Sequence, residues 1–237
     1  MEKATYTAII LAAGSGSRMK SKVKKQFMDF LGKPLIYYAL KAFQDSPVDE
    51  VILVTEKNAI DYCKEEIVEK YNFTKVHKIV PGGKERYESV YFGLMETTAD
   101  YVLIHDGARA FIDQNIITRA MEAVKVYKAC VVGMPVKDTI RVVDKDQYSV
   151  ETPNRATLWQ MQTPQCFVTE ELIDAFRAMM KQENESIGIT DDAMVMEQFG
   201  KRKVKLIEGS YNNIKVTTPE DIVIGERLIQ SMQDGVD

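Results

Sequence analysis

The sequence contains few of the residues on which disulfide-linked proteins and histidine-rich metal centres depend. Only three cysteines, two histidines and one tryptophan occur among its 237 residues. The cysteines are odd in number, far apart and without the spacing of metal ligands, which predicts reduced and mostly buried thiols. The two histidines, His77 and His105, are too few for a histidine-rich metal centre.

Long apolar runs and long basic tracts are absent as well. No apolar stretch approaches the length of a membrane span, and the short run at residues 8–13 leads into glycines and lysines instead of a cleavage site. The formal net charge is −4, and no basic tract is long enough to indicate a nucleic-acid surface. These absences predict a cytoplasmic protein that binds small molecules, with neither nucleic acid nor membrane as a partner.

The composition that remains is that of an ordinary globular protein, with 45% hydrophobic and 28% charged residues. The length favours a single α/β domain over residues 1–237 with one excursion. Short β-rich runs alternate with segments of helical period, which predicts a mostly parallel sheet covered by helices on both faces. The predicted strands are residues 7–11, 50–55, 76–80, 101–105 and 129–134, and the predicted helices are residues 35–43, with Pro34 in the first turn, 59–71, 86–95 and 116–127.

Residues 137–159 interrupt the alternation with a polar, weakly alternating segment that has a turn signal near residues 144–147. This pattern predicts a projecting hairpin, and we refer to residues 137–159 as the arm. Because an isolated two-stranded hairpin is marginal in water, we expect the arm to pack against another subunit; a flexible surface insertion is the alternative. Beyond the arm we predict helices at residues 169–181, from Thr190 and from Pro219, and a strand at residues 204–208.

The most informative segment is residues 9–26, IILAAGSGSRMKSKVKKQ, in which an apolar run leads into closely spaced glycines and then cations. Glycines let backbone amides approach a ligand closely, and the cations suit phosphate oxygens. The segment lacks the Gly-Lys-Ser/Thr ending of a Walker loop, and Met19 replaces the third glycine of a dinucleotide fingerprint. We interpret it as a polyphosphate loop in which Arg18 and Lys25 stabilise the charge that develops during nucleotidyl transfer.

Two further polar segments follow predicted strands. PGGKER at residues 81–86 precedes a helix and could hold a base, ribose or phosphate, although a plain strand-to-helix turn is equally consistent with it. HDGAR at residues 105–109 places Asp106 where a carboxylate can bind sugar hydroxyls, hold Mg²⁺ beside phosphates, or simply cap a turn. We interpret His105 as a structural hydrogen-bonding group. Because ligands bind beyond the carboxyl ends of parallel strands, Gly14 and these two segments are predicted to converge on one edge of the sheet.

Taken together and in order, the segments resemble the 2-C-methyl-D-erythritol 4-phosphate cytidylyltransferase family. The matching pieces extend from residue 9 to about residue 222 and are LAAGSGSRM, KKQF, PGGKERYESV, HDGAR, PVKDTI, NRATLWQMQTPQCF, TDDAMVMEQFG and NNIKVTTPEDI. The resemblance implies a Rossmann-like nucleotidyltransferase fold, a three-layer α/β sandwich with a mostly parallel mixed sheet and a projecting β-arm. It also implies a homodimer in which the arm interlocks with the second subunit.

The family reaction joins CTP to 2-C-methyl-D-erythritol 4-phosphate with Mg²⁺ and releases pyrophosphate. The resemblance assigns Arg18 and Lys25 to transition-state stabilisation, and Arg155, from the arm of the other subunit, and Lys215 to positioning the second substrate. The residues placed near CTP and its metal are Ala12, Ala13, Gly14, Gly82, Ser89, Asp106 and Gly107, with Asp106 as the metal ligand. The residues placed near the sugar-alcohol phosphate are Thr139, Arg155, Thr163, Thr190 and Lys215.

The chain departs from the family's usual pattern at Gly107 and Ala110, and both changes are expected to loosen the loop after the strand. The nearest alternative is ribitol 5-phosphate cytidylyltransferase, which shares the fold, the glycine loop and much of the NRATLWQMQTPQ segment; HDGAR and TDDAMVMEQFG favour methylerythritol phosphate. A second alternative is a non-catalytic, regulatory nucleotide-binding domain, against which the presence of all four candidate cations counts. A third, a nicotinamide oxidoreductase, is disfavoured by Met19.

Overall fold

The computed structural model describes residues 3–14, 24–181 and 188–233. The strands in these residues are β1 (Tyr6–Ala12), β2 (Asp29–Phe30), β3 (Lys33–Pro34), β4 (Glu50–Thr55), β5 (Val76–Pro81), β6 (Tyr101–Asp106), β7 (Ala129–Pro135), β8 (Val142–Val143), β9 (Ser149–Glu151), β10 (Trp159–Val168) and β11 (Lys205–Glu208). The helices are α1 (Leu35–Gln44), α2 (Ile60–Tyr62), α3 (Arg86–Leu94), α4 (Gln114–Tyr127), α5 (Thr169–Met180), α6 (Asp192–Gln198) and α7 (Pro219–Gln233).

Seven of the strands form one sheet in the order β11-β7-β10-β6-β1-β4-β5. Every neighbouring pair is parallel except the two that involve β10, which runs antiparallel to both β6 and β7. The predicted fold class, a mostly parallel mixed sheet in an α/β protein, is therefore confirmed.

Alternate residues of the sheet strands face two separate hydrophobic clusters. Ala8 and Ile10 of β1 pack in a cluster with side chains of α1 and α4. Ile9, between them, packs on the opposite face in a cluster with side chains of α3, α5 and α6. This period of two, with helices on both faces, produces the three layers predicted from the sequence.

The structure confirms all five predicted strands of the alternating region to within one residue at each end, but β10 is a strand that the sequence analysis did not predict. Its middle reads Gln162-Thr163-Pro164-Gln165, a polar run that is nevertheless buried at the centre of the sheet. Proline cannot donate a hydrogen bond to a strand ladder, and the pairing of β10 with β7 shifts register between Met161 and Gln165. Polarity and proline together concealed the strand.

Two helix predictions need correction. Pro34 lies in β3 and immediately precedes α1, so it stands one residue before the first turn in which it was predicted. The helix predicted at residues 59–71 is a composite, in which α2 is only three residues long and continues as a π-helix, Cys63–Glu69. Cys63 and Ile67, four residues apart, are the buried residues of that π-helix.

The arm contains the predicted hairpin, in which β8 pairs antiparallel with β9. Asp144 forms the turn between them, since its carbonyl accepts a bond from the Gln147 amide and its carboxylate accepts a bond from the Tyr148 amide. The side chains of β8 and β9 are exposed. Within the residues described, the structure has no helix with the length and apolar character needed to cross a membrane.

Candidate active site

The carboxyl ends of four neighbouring strands lie side by side at one edge of the sheet. The register pairs Leu11 of β1 with Asp106 of β6, and Ala12 of β1 with Thr55 of β4, which in turn pairs with Pro81 of β5. A cavity of about 510 Å³ opens at this edge. Its lining includes residues of each segment predicted to converge here, such as Gly14, Gly83 and Asp106. Ala12, Ala13, Ser89 and Lys215 line it as well.

The end of β1 is held in place by Gln26, a buried residue of the 3₁₀ turn Lys25–Phe27. The Gln26 side-chain amide donates to the carbonyl of Ala12 at 2.6 Å and lies 3.4 Å from that of Gly14. Lys25, beside it, lines the cavity, and its Nζ donates to the carbonyl of Val216 at 3.3 Å. Gln26 thus ties the residues that follow the glycine loop to those that precede it, Ala12 and Gly14. Arg18 lies outside the described residues.

Gly82 allows β5 to approach the end of β1 closely. A Cβ at this position would lie 2.4 Å from the Cβ of Ala13 and 2.8 Å from Oγ of Ser89. The Gly82 amide donates to the carbonyl of Thr55, and the amide of Gly83 donates to Oγ of Ser89. The glycines of this segment therefore serve close packing around the cavity, and Gly83, rather than Gly82, is the one that lines it.

Asp106 is the buried anion of the site and is surrounded by cations. Its Oδ2 accepts a bond from Nζ of Lys215 at 2.7 Å, and its Oδ1 lies 3.5 Å from Nε of Arg86. Nε of Arg109 lies 3.9 Å from Oδ2. Burial by itself would raise the pKa of Asp106, but Arg86, Lys215 and Arg109 together hold that pKa well below its ordinary value. The carboxylate is therefore ionised at neutral pH.

The position of Lys215 is fixed by the backbone on either side of it. The amide of Val216 donates to the carbonyl of Ala108, and Nη1 of Arg109 donates to the carbonyl of Asn213 at 2.8 Å. These bonds join the segment before α7 to the loop after β6. They place Lys215 at the cavity.

His105 is fully buried and takes part in a chain of hydrogen bonds. The backbone amide of Asp106 donates to Oγ1 of Thr163 at 3.1 Å, and that oxygen lies 2.9 Å from Nδ1 of His105. Nε2 of His105 lies 3.1 Å from the carbonyl of Arg109. Because the Arg109 carbonyl can only accept, Nε2 of a neutral His105 carries the proton and donates to it, and Nδ1 accepts a bond from the Thr163 hydroxyl. Burial lowers the pKa of His105 to about 4, which agrees with the predicted structural role.

The residues predicted to bind the second substrate are not brought together within one chain. Lys215 lines the cavity, whereas Thr163 is buried and its hydroxyl is used by His105 and Asp106. Arg155 and Thr139 are exposed and lie in the arm, where Nη1 of Arg155 donates to the carbonyl of Lys137. Thr190 is exposed and lies just before α6.

Gly107 differs from what the sequence suggested. Its amide donates to the carbonyl of Leu11 at 2.8 Å, and a Cβ would lie 2.4 Å from Cδ1 of Ile36. Ala110 is buried as well. The segment is closely packed at both positions, so neither the glycine nor the alanine leaves open space in this loop.

The donor set fits a metal that arrives with a nucleotide. The described residues contain no group of three or more histidine, cysteine, aspartate or glutamate side chains that could hold a metal ion. Mg²⁺ keeps several waters and is commonly held by one or two carboxylates together with substrate phosphates. Asp106, a single ionised carboxylate at the cavity, suits such an arrangement and does not by itself form a cage.

Sequence reasoning did not single out Arg86 or Asp192, although both lie within quoted motifs. Nη1 and Nη2 of Arg86 donate to Oδ1 and Oδ2 of Asp192, each at 2.8 Å. The two residues are 106 positions apart, so no local spacing connects them. Burial would lower the pKa of Arg86, but Asp192 and Asp106 raise it above its ordinary value.

Comparison with known proteins gives a consistent result. A family model described as "IspD: 2-C-methyl-D-erythritol 4-phosphate cytidylyltransferase" matches residues 6–231. A protein of that name from Lachnospira eligens is 52% identical over 220 residues, which cover 92% of this chain and 96% of that protein. Another, from Clostridium botulinum, is 47% identical over 225 residues, covering 94% and 98%.

Solved structures agree with the sequence comparison. The crystal structure of 4-diphosphocytidyl-2C-methyl-D-erythritol synthase from Anaerococcus prevotii has a TM-score of 0.82 to this chain at 32% identity, and the match covers 96% of each chain. That of 2-C-methyl-D-erythritol 4-phosphate cytidylyltransferase from Thermus thermophilus has a TM-score of 0.76 at 29% identity, with 95% and 99% covered.

Proposed function

The chain belongs to the 2-C-methyl-D-erythritol 4-phosphate cytidylyltransferase family, and we propose that it joins CTP to 2-C-methyl-D-erythritol 4-phosphate. The products are 4-CDP-2-C-methyl-D-erythritol and pyrophosphate, in non-mevalonate isoprenoid biosynthesis. The observation that carries the proposal is the Asp106–Lys215 pair, 2.7 Å apart, at a cavity that the glycine segments also line. A cytoplasmic location remains a prediction.

In the proposed reaction, a phosphate oxygen of the sugar-alcohol phosphate attacks the α-phosphorus of CTP. A new P–O bond forms, the bond from the α-phosphorus to the bridging oxygen breaks, and pyrophosphate leaves with the electron pair. Because the attacking phosphate is already ionised, the step needs no general base. Lys25, which lines the cavity, and Arg18 of the glycine loop would stabilise the charge that develops on the oxygens around phosphorus.

We assign the residues around the cavity to the two substrates. Ala12, Ala13, Gly14 and Ser89 line the cavity, with Gly82 and Gly107 packed beside them, and these residues would receive the nucleotide. Lys215 would attract the phosphate of the second substrate. Its pairing with Asp106 fixes the direction of the lysine side chain, which lowers the cost of orienting that phosphate.

We infer a homodimer from the remaining residues assigned to the second substrate. Arg155 and Thr139 belong to the exposed arm and do not line the cavity of their own chain. Ile140, Val142, Val143, Tyr148 and Val150 of the arm are exposed large hydrophobic residues. A second copy of the chain would cover this apolar surface and bring Arg155 and Thr139 to a shared substrate site, to which the first copy would contribute Thr190.

We propose Mg²⁺ as the metal, with Asp106 as the protein carboxylate that faces it beside the CTP phosphates. Bound there, Mg²⁺ would neutralise phosphate charge and make pyrophosphate a better leaving group. Treatment with EDTA should abolish turnover, and excess Mg²⁺ should restore it. Full turnover in EDTA would contradict this assignment.

The decisive experiment measures pyrophosphate release from CTP with methylerythritol phosphate and with ribitol 5-phosphate in parallel. We expect turnover with methylerythritol phosphate and much slower turnover with ribitol 5-phosphate. The reverse preference would support the ribitol enzyme instead. CTP binding without turnover on either substrate would support the regulatory nucleotide-binding alternative.

A further inference from the structure

Arg86, the first residue of α3, lies between two carboxylates that come from different parts of the chain. Its Nη1 and Nη2 form a bidentate pair with Asp192 at 2.8 Å, and its Nε lies 3.5 Å from Oδ1 of Asp106. Arg86 also lines the cavity. A planar guanidinium can hold two carboxylates in fixed directions, which the point charge of a lysine cannot do.

Asp192 is the first residue of α6, and its side chain is only 1% exposed. The amides of Asp192 and Ala193 both donate to Oε1 of Gln165, at 2.9 and 3.0 Å. Nε2 of Gln165 donates to Oδ2 of Asp191, which caps α6 through its other oxygen. The start of α6 is therefore fixed both to β10 and, through Arg86, to the cavity.

Thr190 lies two residues before Asp192 in the sequence. Arg86 contacts Asp192 on one side and Asp106 on the other. Lys215 occupies Oδ2 of Asp106, which leaves Oδ1 as the oxygen that faces Arg86. One side chain thus sets the direction of the carboxylate in the cavity and also holds the segment that carries Thr190. Packing alone does not explain an arginine at this position, because an apolar side chain would leave Asp192 buried without a counter-ion.

We propose that Arg86 is a positioning residue for the transfer reaction, which orients Asp106 and, through Asp192, the Thr190 segment that receives the second substrate. This inference rests on the proposed function. It predicts that replacing Arg86 mainly raises KM for the sugar-alcohol phosphate, because Arg86 is connected through Asp192 to the segment that carries Thr190.

The test compares Arg86→Lys, Asp192→Asn and a control variant, Arg202→Lys. Arg202 forms a similar bidentate pair, with Glu171 at 2.5 and 2.8 Å, but does not line the cavity. Steady-state turnover with varied methylerythritol phosphate and saturating CTP gives kcat and KM, and thermal melting gives stability. We expect Arg86→Lys to raise KM for methylerythritol phosphate about tenfold and Asp192→Asn to raise it about threefold, with Arg202→Lys unchanged.

The double variant Arg86→Lys with Asp192→Asn shows whether the two act as one unit. Its KM should equal that of Arg86→Lys alone, because the same connection is already broken. A product of the two single effects would overturn the inference. The inference would also be overturned if kcat fell only in proportion to the loss of folded protein while KM for methylerythritol phosphate stayed unchanged in both single variants. That is the result expected of a purely structural ion pair.

Each failure has its own signature. If Arg86→Lys does not fold, Asp192→Asn, which keeps the shape of the side chain, decides by its KM. If the unaltered protein releases no pyrophosphate from either substrate, the proposed function is refuted and the inference with it. If the unaltered protein turns over and Asp192→Asn leaves KM unchanged, the inference alone is refuted.

Discussion

At the residue scale, Lys215 is a cation that lines the cavity and pairs with the buried carboxylate of Asp106. Lys215→Met should lower kcat/KM for methylerythritol phosphate by about a hundredfold, because it removes a phosphate-directed cation and the partner of a buried carboxylate. Steady-state turnover measures this loss. Lys78→Met is the matched control, since Lys78 pairs with Glu96 at 2.9 Å on an exposed surface, where such pairs contribute little. Equal losses in both variants would contradict the assignment.

His105 predicts a specific pH dependence of stability. Burial lowers its pKa to about 4, below the value of about 6.5 expected in the unfolded chain, so the unfolded state binds the proton first as the pH falls. The stabilisation is therefore complete above about pH 6.5 and is lost towards pH 4, by about 3 kcal/mol in total.

Denaturant unfolding between pH 4 and pH 7 tests this sign. His105→Gln should show a shallower fall in the free energy of unfolding than the unaltered protein. His77→Gln serves as the control, because the His77 side chain is 56% exposed. An unchanged slope in His105→Gln would show that other groups govern the acid response.

At the scale of elements, the ends of β1 and β5 and the start of α3 meet at Gly82. Gly82→Ala should lower the melting temperature of the ligand-free protein by several degrees, since the new Cβ would lie 2.4 Å from that of Ala13. Gly14→Ala should leave it nearly unchanged, because a Cβ there meets nothing within 4 Å. Calorimetry of the two variants provides the comparison, and similar melting temperatures would rule out the packing argument.

The elements also show how far sequence reasoning reaches. β1 and β6 were predictable because each is an apolar run with a clear end, at Gly14 after β1 and at His105 and Asp106 in β6. This placed Gly14 and Asp106 at one edge. β10 was not, because Gln162, Thr163 and Gln165 form a buried polar network in a central strand. The Arg86–Asp192 pair depends on tertiary folding over 106 residues, which no local pattern records.

At the scale of the whole molecule, the arm is the surface through which we expect two copies of the chain to associate. Val150→Asp should convert a dimer into monomers and reduce turnover, because Val150 is 61% exposed on the arm and a buried charge would oppose association. Val126→Asp is the control, since Val126 is 71% exposed on α4. Light scattering after gel filtration measures the mass, and a monomeric unaltered protein would refute the dimer proposal.

The reversed direction of β10 has a consequence for how this architecture can change. Trp159 of β10 pairs with Pro135 of β7, so the intervening chain leaves and re-enters the sheet at the same edge as the cavity. Closing a longer loop between fixed ends costs only about 0.6 kcal/mol for each doubling of its length. The arm can therefore vary in length and sequence without changing the strands on either side of it. Exchanging the arm between relatives should alter the choice of acceptor, while the sheet and the residues assigned to CTP stay the same.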